Sequence, residues 1–144
     1  MTSTAPVTDE RIHRDVLEPL LRAALGVEPV TGDQRLYDYG EVPGADGNDG
    51  VLPSVYVLLT VERRYVGPRR AGRAGRSGWR ITARYVGRNV DEARWALDKV
   101  TDAIDEARLT IGGYVSTPVT HESSTAIEPD DGRFSGLTVW TYAL

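Results

Sequence analysis

The sequence predicts an α+β fold in which a small, mostly antiparallel sheet is covered on one face by two helices. Apolar residues recur at helical spacing near the N-terminus and again after residue 89. Residues 53–66 and 79–86 instead show the alternation typical of strands, and the chain ends in another alternating segment. The expected order is therefore helix, long β-hairpin, helix, β-hairpin, within a single domain over residues 1–144.

The first predicted element is a helix, for which Thr8 or Asp9 is a suitable N-cap. His13 falls on its polar side, and Gly26 is a natural end. Pro19 predicts a kink or a division into two short helices, because proline lacks the amide donor and clashes with the preceding turn. The predicted core-facing stripe of the helix consists of Ile12, Val16, Leu17, Leu20, Leu21 and Ala24.

A long connection and a long hairpin follow. In the connection only "RLYDY" is predicted to form a short strand, and residues 40–52 are rich enough in glycine and aspartate to predict an exposed loop. The alternating segments 53–66 and 79–86 predict a β-hairpin with long strands. Because fourteen extended residues span about 45 Å, the distal part, about residues 62–80, is expected to project as an arm.

The second helix has the clearest signals. Asn89 is a suitable N-cap, and Glu92 stands at the capping-box position. The segment "IGG" is predicted to end this helix, and the remainder predicts a hairpin with a strand within residues 114–127, a turn at "EPDDGR" and the closing strand "LTVWTYAL". The apolar stripe of the helix consists of Val90, Ala93, Leu97, Val100, Ile104 and Ala107.

The composition is that of a folded globular chain, with 40% hydrophobic and 26% charged residues. The sequence contains no cysteine, which excludes disulfides, thiolate chemistry and cysteine zinc sites. No apolar run has the length of a signal peptide or of a membrane span. We therefore expect synthesis in a cytoplasm and no membrane partner.

The charges are segregated along the chain. Residues 63–88 carry nine arginines and no acidic residue, although the whole chain has a net charge of -4. This pattern is typical either of a nucleic-acid-binding arm or of a hairpin tip that docks on another protein. The arginines at the predicted tip are Arg69, Arg70, Arg73 and Arg76.

No pattern in the sequence is typical of catalysis. A metal or triad role for His121, next to Glu122, would need further ligands that no nearby spacing supplies, so a solvated histidine at a strand edge is expected. The glycines of "GPRRAGRAGRSG" do not match a phosphate-binding loop, and "DGNDG" does not match a calcium loop. We therefore expect no enzymatic activity, no catalytic residue, no metal and no cofactor.

Trp95 is predicted to lie on the acidic outer face of the second helix, about 160° from its apolar stripe. Either the long connection of the chain covers this tryptophan or another protein does. Arginine pairs with carboxylates and stacks on indole, so the arm of a neighbouring copy is a candidate partner for this face. Besides the four tip arginines, the predicted interface residues are Asp91, Trp95, Asp98 and Asp102.

Four segments in the order "RLYDYGEVPG", "LPSVYV", "WRITARYVGRNVDEARWALDKVTDAI" and "EPDDGRFSGLTVWTYAL" resemble the tail terminator (tail completion) proteins of long-tailed bacteriophages. The resemblance covers roughly residues 8–144. It implies a tail-terminator-like structural subunit of the virion, without catalytic residues, that forms a ring, usually a hexamer, capping the tail tube and joining it to the head-side neck. The implied partners are sister subunits, the tail tube protein and a neck stopper protein, with genome DNA passing through the lumen without sequence-specific binding.

Two alternatives remain open at the level of sequence. The chain could be another head–tail connector component, such as a stopper or an adaptor. It could also be a small nucleic-acid-binding module that uses the arginine-rich segment. Against the second alternative, the acidic remainder of the chain repels nucleic acid, and no aromatic residue for base stacking lies between Tyr65 and Trp79.

Overall fold

The computed structural model describes residues 9–64 and 78–144. The tip arginines Arg69, Arg70, Arg73 and Arg76, and with them most of the predicted arm, lie outside these residues. The elements of the described ranges are α1 (Glu10–Leu25), β1 (Leu36–Tyr37), β2 (Val55–Arg63), β3 (Gly78–Gly87), α2 (Val90–Ile104), β4 (Arg108–Ile111), β5 (Tyr114–Pro118), β6 (Thr120–Ser124), β7 (Glu128–Asp130) and β8 (Arg133–Ala143).

The main sheet has the strand order β1-β2-β3-β8-β6, with β7 also paired to β8, and β4 and β5 form a separate two-stranded sheet. The parallel pair β1–β2 adjoins strands that pair in antiparallel fashion. The long hairpin is present as the β2–β3 ladder, which extends from the pair Val55 and Gly87 to the pair Arg63 and Trp79. The predicted α+β class with a mostly antiparallel sheet is confirmed.

Alternate residues of β2, β3 and β8 face the two helices and form the core with them. On the other face of the sheet, Val42 from the long connection packs against Tyr56 and Val86, whereas residues 46–51 of that connection are exposed. The largest core side chains that are almost fully buried include Leu17, Leu21, Leu59, Trp79, Ile81, Tyr85, Ile104 and Trp140.

Helix α1 begins where its capping residue predicts. The carboxylate of Asp9 accepts a hydrogen bond of 2.9 Å from the amide of Arg11, and the amide of Gly26 closes the other end on the carbonyl of Arg22. The helix runs without interruption through Pro19, so the predicted division into two short helices is wrong. Asp15 and Pro19 are both exposed, so water can reach the carbonyl that loses its amide donor.

The buried row of α1 is displaced from the predicted stripe. Leu20 is 43% exposed, whereas His13, expected on the polar side, is fully buried. The imidazole stacks on Trp79 with 3.6 Å between ring centroids, and its Nδ1 shares a hydrogen bond with the hydroxyl of Tyr142. The prediction for His13 is wrong because strands β3 and β8 supply an aromatic surface and a polar partner. The almost fully buried row is His13, Leu17, Leu21 and Leu25.

Helix α2 also begins at its predicted cap, since Oδ1 of Asn89 accepts a hydrogen bond of 2.9 Å from the amide of Glu92. It ends at Ile104, earlier than predicted. The segment "IGG" does not end it: Gly112 and Gly113, with φ of 58° and 84°, form the tight turn between β4 and β5. Two consecutive positive φ values are what a two-residue hairpin turn requires, and glycine adopts them without strain.

The C-terminal hairpin is present and more divided than predicted. Asp131 and Gly132, both with positive φ, form its turn between β7 and β8, and β6 pairs further along β8. His121 is exposed on the edge strand β6, with its Nε2 2.7 Å from the hydroxyl of Ser124. Glu122 pairs with Arg64 and Arg80.

The junction between β3 and α2 is unusually tight. A Cβ atom placed on Gly87 would lie 2.6 Å from the amide nitrogen of Ala93 and 2.8 Å from Cβ of Glu92. Only glycine therefore allows the first turn of α2 to rest on the end of β3. This contact fixes the position of the helix surface described next.

A candidate docking groove beside Trp95

A groove of about 570 Å³ lies where the first turns of α2 meet the turn after α1 and the start of β2. Its apolar surface comes from a proline, two valines and the tryptophan, and charged side chains of both signs complete the wall. The lining residues are Glu28, Pro29, Val30, Arg35, Ser54, Val55, Arg88, Asp91, Glu92 and Trp95.

Glu28 holds the turn after α1 against the start of β2. Its Oε1 accepts hydrogen bonds from the amide of Ser54 at 3.0 Å, from the Ser54 hydroxyl at 2.7 Å and from the amide of Val55 at 3.4 Å. Nε of Arg35 lies 3.5 Å from the same oxygen. Burial raises the pKa of Glu28, but the hydrogen bonds and the Arg35 charge outweigh it, so the pKa lies below its ordinary value of 4.5.

We expect Glu28→Gln to lower the free energy of unfolding at pH 7 by about 1–3 kcal/mol, because a charged acceptor is lost. The lowered pKa of Glu28 means that its ionised form stabilises the fold above about pH 4.5, and that this contribution disappears as the pH falls through the folded-state pKa. The difference between the two proteins should therefore shrink from pH 7 to pH 3 in urea titrations. Glu41→Gln, at an exposed site, is the control, and a difference that does not change with pH would contradict the assignment.

Trp95 is half-buried and forms one wall of the groove. The guanidinium carbon of Arg35 lies 5.0 Å from the centroid of its ring, and Nζ of Lys99 lies 6.0 Å from it. Arg35 also donates a hydrogen bond of 2.8 Å to the carbonyl of Leu25, so the cation is held in place. The long connection thus contributes to the cover of Trp95, as one of the two explanations expects, but leaves part of the side chain open to the groove.

The carboxylates near the groove differ in their partners. Glu92 pairs with Arg88 at 2.7 Å, and Glu28 pairs with Arg35 at 3.5 Å. Asp91 also lines the groove and is exposed, and it forms no ion pair with any residue of the ranges 9–64 and 78–144. It is therefore a carboxylate available to a cation from outside.

The structure brings only part of the predicted interface together. Asp91 and Trp95 line the groove, whereas Asp98 and Asp102 are exposed further along α2 and do not line it. The sequence reasoning missed Val30, which is 96% exposed, and the partly buried pair of Glu28 and Arg35. An apolar residue in the polar stretch "VEPVTGD" was the available signal for Val30.

The described residues show neither a metal site nor a membrane helix. Across residues 9–64 and 78–144, no three histidine or acidic side chains are placed to share a metal ion. No helix in the same ranges is long and apolar enough to cross a bilayer. The groove, with its apolar wall and free carboxylate, is suited to a side chain that has an apolar stem and a cationic end.

Comparison with known proteins gives similarity of fold. No protein-family model matches the sequence, and no curated protein is significantly similar to it. The chain is similar to a chain in the virion of the native gene transfer agent (GTA) particle, with 15% identity and a TM-score of 0.59 over 99% of this chain and 97% of that one. A second solved chain gives a TM-score of 0.62 at 15% identity over 94% of both chains. The shared fold extends over nearly the whole length in each case.

Proposed function

We propose that this chain is a structural virion protein of the phage type, which forms a ring that terminates the tail tube and joins it to the head-side neck. The observation that carries the proposal is the likeness of fold to a chain of the gene transfer agent virion, over 99% of this chain and 97% of that one. The resemblance of four sequence segments to tail terminator proteins supports the finer assignment.

In the proposed role the protein acts by binding other proteins through its surface, and no catalytic group takes part. The partners are sister subunits in a ring, usually a hexamer, the tail tube protein and a neck stopper protein. A closed ring needs two different, complementary surfaces on each subunit. The groove beside Trp95 and the arginine-rich segment are the candidates for these surfaces.

The test is deletion of the gene in its source, followed by electron microscopy of the particles. If the protein terminates the tube, tails without it should have irregular and excessive lengths and should lack heads. A plasmid copy of the gene should restore normal particles. Tails of normal length that fail to join heads would overturn the terminator role in favour of another connector role, and unchanged particles would overturn both.

The arginine-rich segment is expected to bind DNA only weakly. Residues 65–77 contain four arginines that could bind phosphates, whereas acidic residues outnumber basic residues in the rest of the chain. We expect a dissociation constant weaker than about 1 µM at physiological salt, with a steep loss of affinity as salt is added. Fluorescence anisotropy with a labelled duplex measures both, and the variant with all four arginines changed to glutamine is the control. Sub-micromolar binding at physiological salt would favour the nucleic-acid-binding alternative.

A further inference from the structure

The groove and the attachment points of the arginine-rich segment lie at opposite ends of the sheet. Segment 65–77 joins the sheet at Arg64 and Gly78, whereas the groove lies at the Gly87 end of β3. The ten residues of β3 span about 30 Å. Half of the segment spans at most about 23 Å even when fully extended, which is less than the length of β3, so its backbone falls short of the groove of its own subunit.

One carboxylate of the groove, that of Asp91, has no cationic partner among the described residues. The other two carboxylates of the groove already have partners, Arg35 and Arg88, within the chain. Asp91 stands beside the apolar surface of Val30 and Trp95. Arginine matches this combination, because its aliphatic stem packs on apolar surface while its guanidinium binds a carboxylate.

The chain itself contains a segment of the complementary charge. Residues 65–77 carry four arginines and no acidic residue. On the acceptor side, Asp98 and Asp102 extend the negative charge of Asp91 along the exposed face of α2, and no cation of the described ranges is paired with either. Charge complementarity therefore favours a second copy of this chain as the occupant of the groove.

We propose that the groove of each subunit binds an arginine side chain from segment 65–77 of the next subunit. The stem lies along Val30 and Trp95, the guanidinium pairs with Asp91, and neighbouring arginines of the segment pair with Asp98 and Asp102. Because the segment and the groove lie at opposite ends of the sheet of one subunit, the contact is head-to-tail, the type from which rings are built. The inference rests on the proposed ring and names the contact that holds it together.

A charge swap tests the pairing. One variant carries Asp91→Arg, Asp98→Arg and Asp102→Arg, and the other carries Arg69→Glu, Arg70→Glu, Arg73→Glu and Arg76→Glu. Each alone should lower the fraction of assembled rings at least about tenfold, because several charge-assisted contacts are lost together. The chain that carries both sets should regain assembly, since the charges are again opposite.

The matched control reverses three exposed carboxylates elsewhere, with the changes Asp15→Arg, Glu41→Arg and Glu128→Arg. It alters the net charge of the chain by the same amount as the α2 variant, and it should leave assembly within about twofold of the wild type if the groove is specific. Circular dichroism of every variant should match the wild type. If the segment variant is defective and the double set does not restore assembly, the segment binds another protein and the proposal is overturned.

Cross-linking locates the contact, because the natural chain has no cysteine. Chains with Val30→Cys are mixed with chains that carry Ala71→Cys, assembled and oxidised. We expect a disulfide-linked dimer at least about tenfold more abundant than with Val115→Cys, which is 53% exposed on the β4–β5 hairpin, in place of Val30→Cys. Equal or absent cross-links within intact rings would overturn the contact and leave the proposed function standing. Failure of the wild type to form rings would overturn both.

Discussion

Arg14→Ala is expected to lower the free energy of unfolding by about 3 kcal/mol, or the melting temperature by about 6–12 °C. The side chain of Arg14 is 10% exposed, and its guanidinium joins α1 to β2 and to the residue after β1. It donates to the carboxylate of Glu18 at 2.6 Å and to the carbonyl of Leu59 at 2.7 Å, and it pairs with Asp38 at 2.5 Å. Alanine would leave Asp38 and the Leu59 carbonyl without this cation, and would leave Glu18 with only the longer pair to Arg22 at 3.8 Å. Solvent reaches Asp38, which keeps the expected loss at the lower end of the range for buried pairs.

Arg11→Ala is the matched control for this prediction. Arg11 lies on the same helix, two positions before His13, and pairs with Asp15 at 3.1 Å, but both side chains are more than half exposed. Its loss should change stability by less than about 0.5 kcal/mol. Arg14→Lys should fall between the two, because lysine keeps the charge and loses the planar fork. Thermal and urea unfolding measure all three, and equal stability of the Arg14→Ala and Arg11→Ala variants would contradict the buried network.

His13→Ala is expected to cost about 3–4 kcal/mol of unfolding free energy, because it removes a fully buried ring from the centre of the core. The substitution deletes the stack on Trp79 and the hydrogen bond with Tyr142. Burial raises the pKa of Tyr142 above its ordinary value of 10.0, so its hydroxyl is protonated at neutral pH and stays in need of a partner. Urea titration at pH 7 measures the loss.

Two further variants divide this loss into its parts. His13→Phe retains an aromatic ring against Trp79 and removes the hydrogen bond, so we expect it to cost about 1–2 kcal/mol. His121→Ala changes the exposed histidine and should have an effect within about 0.5 kcal/mol. A cost for His13→Ala no larger than that for His121→Ala would show that His13 does not lie in the core.

The sequence predicted the elements whose determinants are local. The cap at Asn89 and the apolar repeat of α2 depend on residues within a few positions of each other, and the alternation of β2 and β3 reflects burial on one face. His13 could not be placed in this way. Its partners, Trp79 and Tyr142, come from distant strands, and a polar side chain is buried only when such partners exist.

The end of α2 shows a second limit of sequence reasoning. The apolar stripe continues to Ala107, but the helix ends at Ile104 and is capped by Asp105. The amide of Asp105 makes the last helical hydrogen bond, to the carbonyl of Thr101, and its own backbone is extended. The glycines of "IGG" instead form the turn of the β4–β5 hairpin. Glycine is common both at helix ends and in hairpin turns, so the sequence alone does not distinguish the two roles. For the groove, the sequence offered one signal, a tryptophan on the acidic face of α2 at position 95. The opposite wall comes from the turn after α1, which has no apolar repeat from which it could be predicted.

The intrinsic fluorescence of the three tryptophans reports on two different properties of the protein, its folding and the filling of the groove. Trp79 and Trp140 are buried, so their emission should be blue-shifted in the native state and should move to longer wavelength on unfolding. Trp95 is half-buried at the groove, so its emission and its quenching by iodide should report whether the groove is filled. A Trp95→Phe variant separates the two signals. Folding and docking can therefore be followed in the same unlabelled sample.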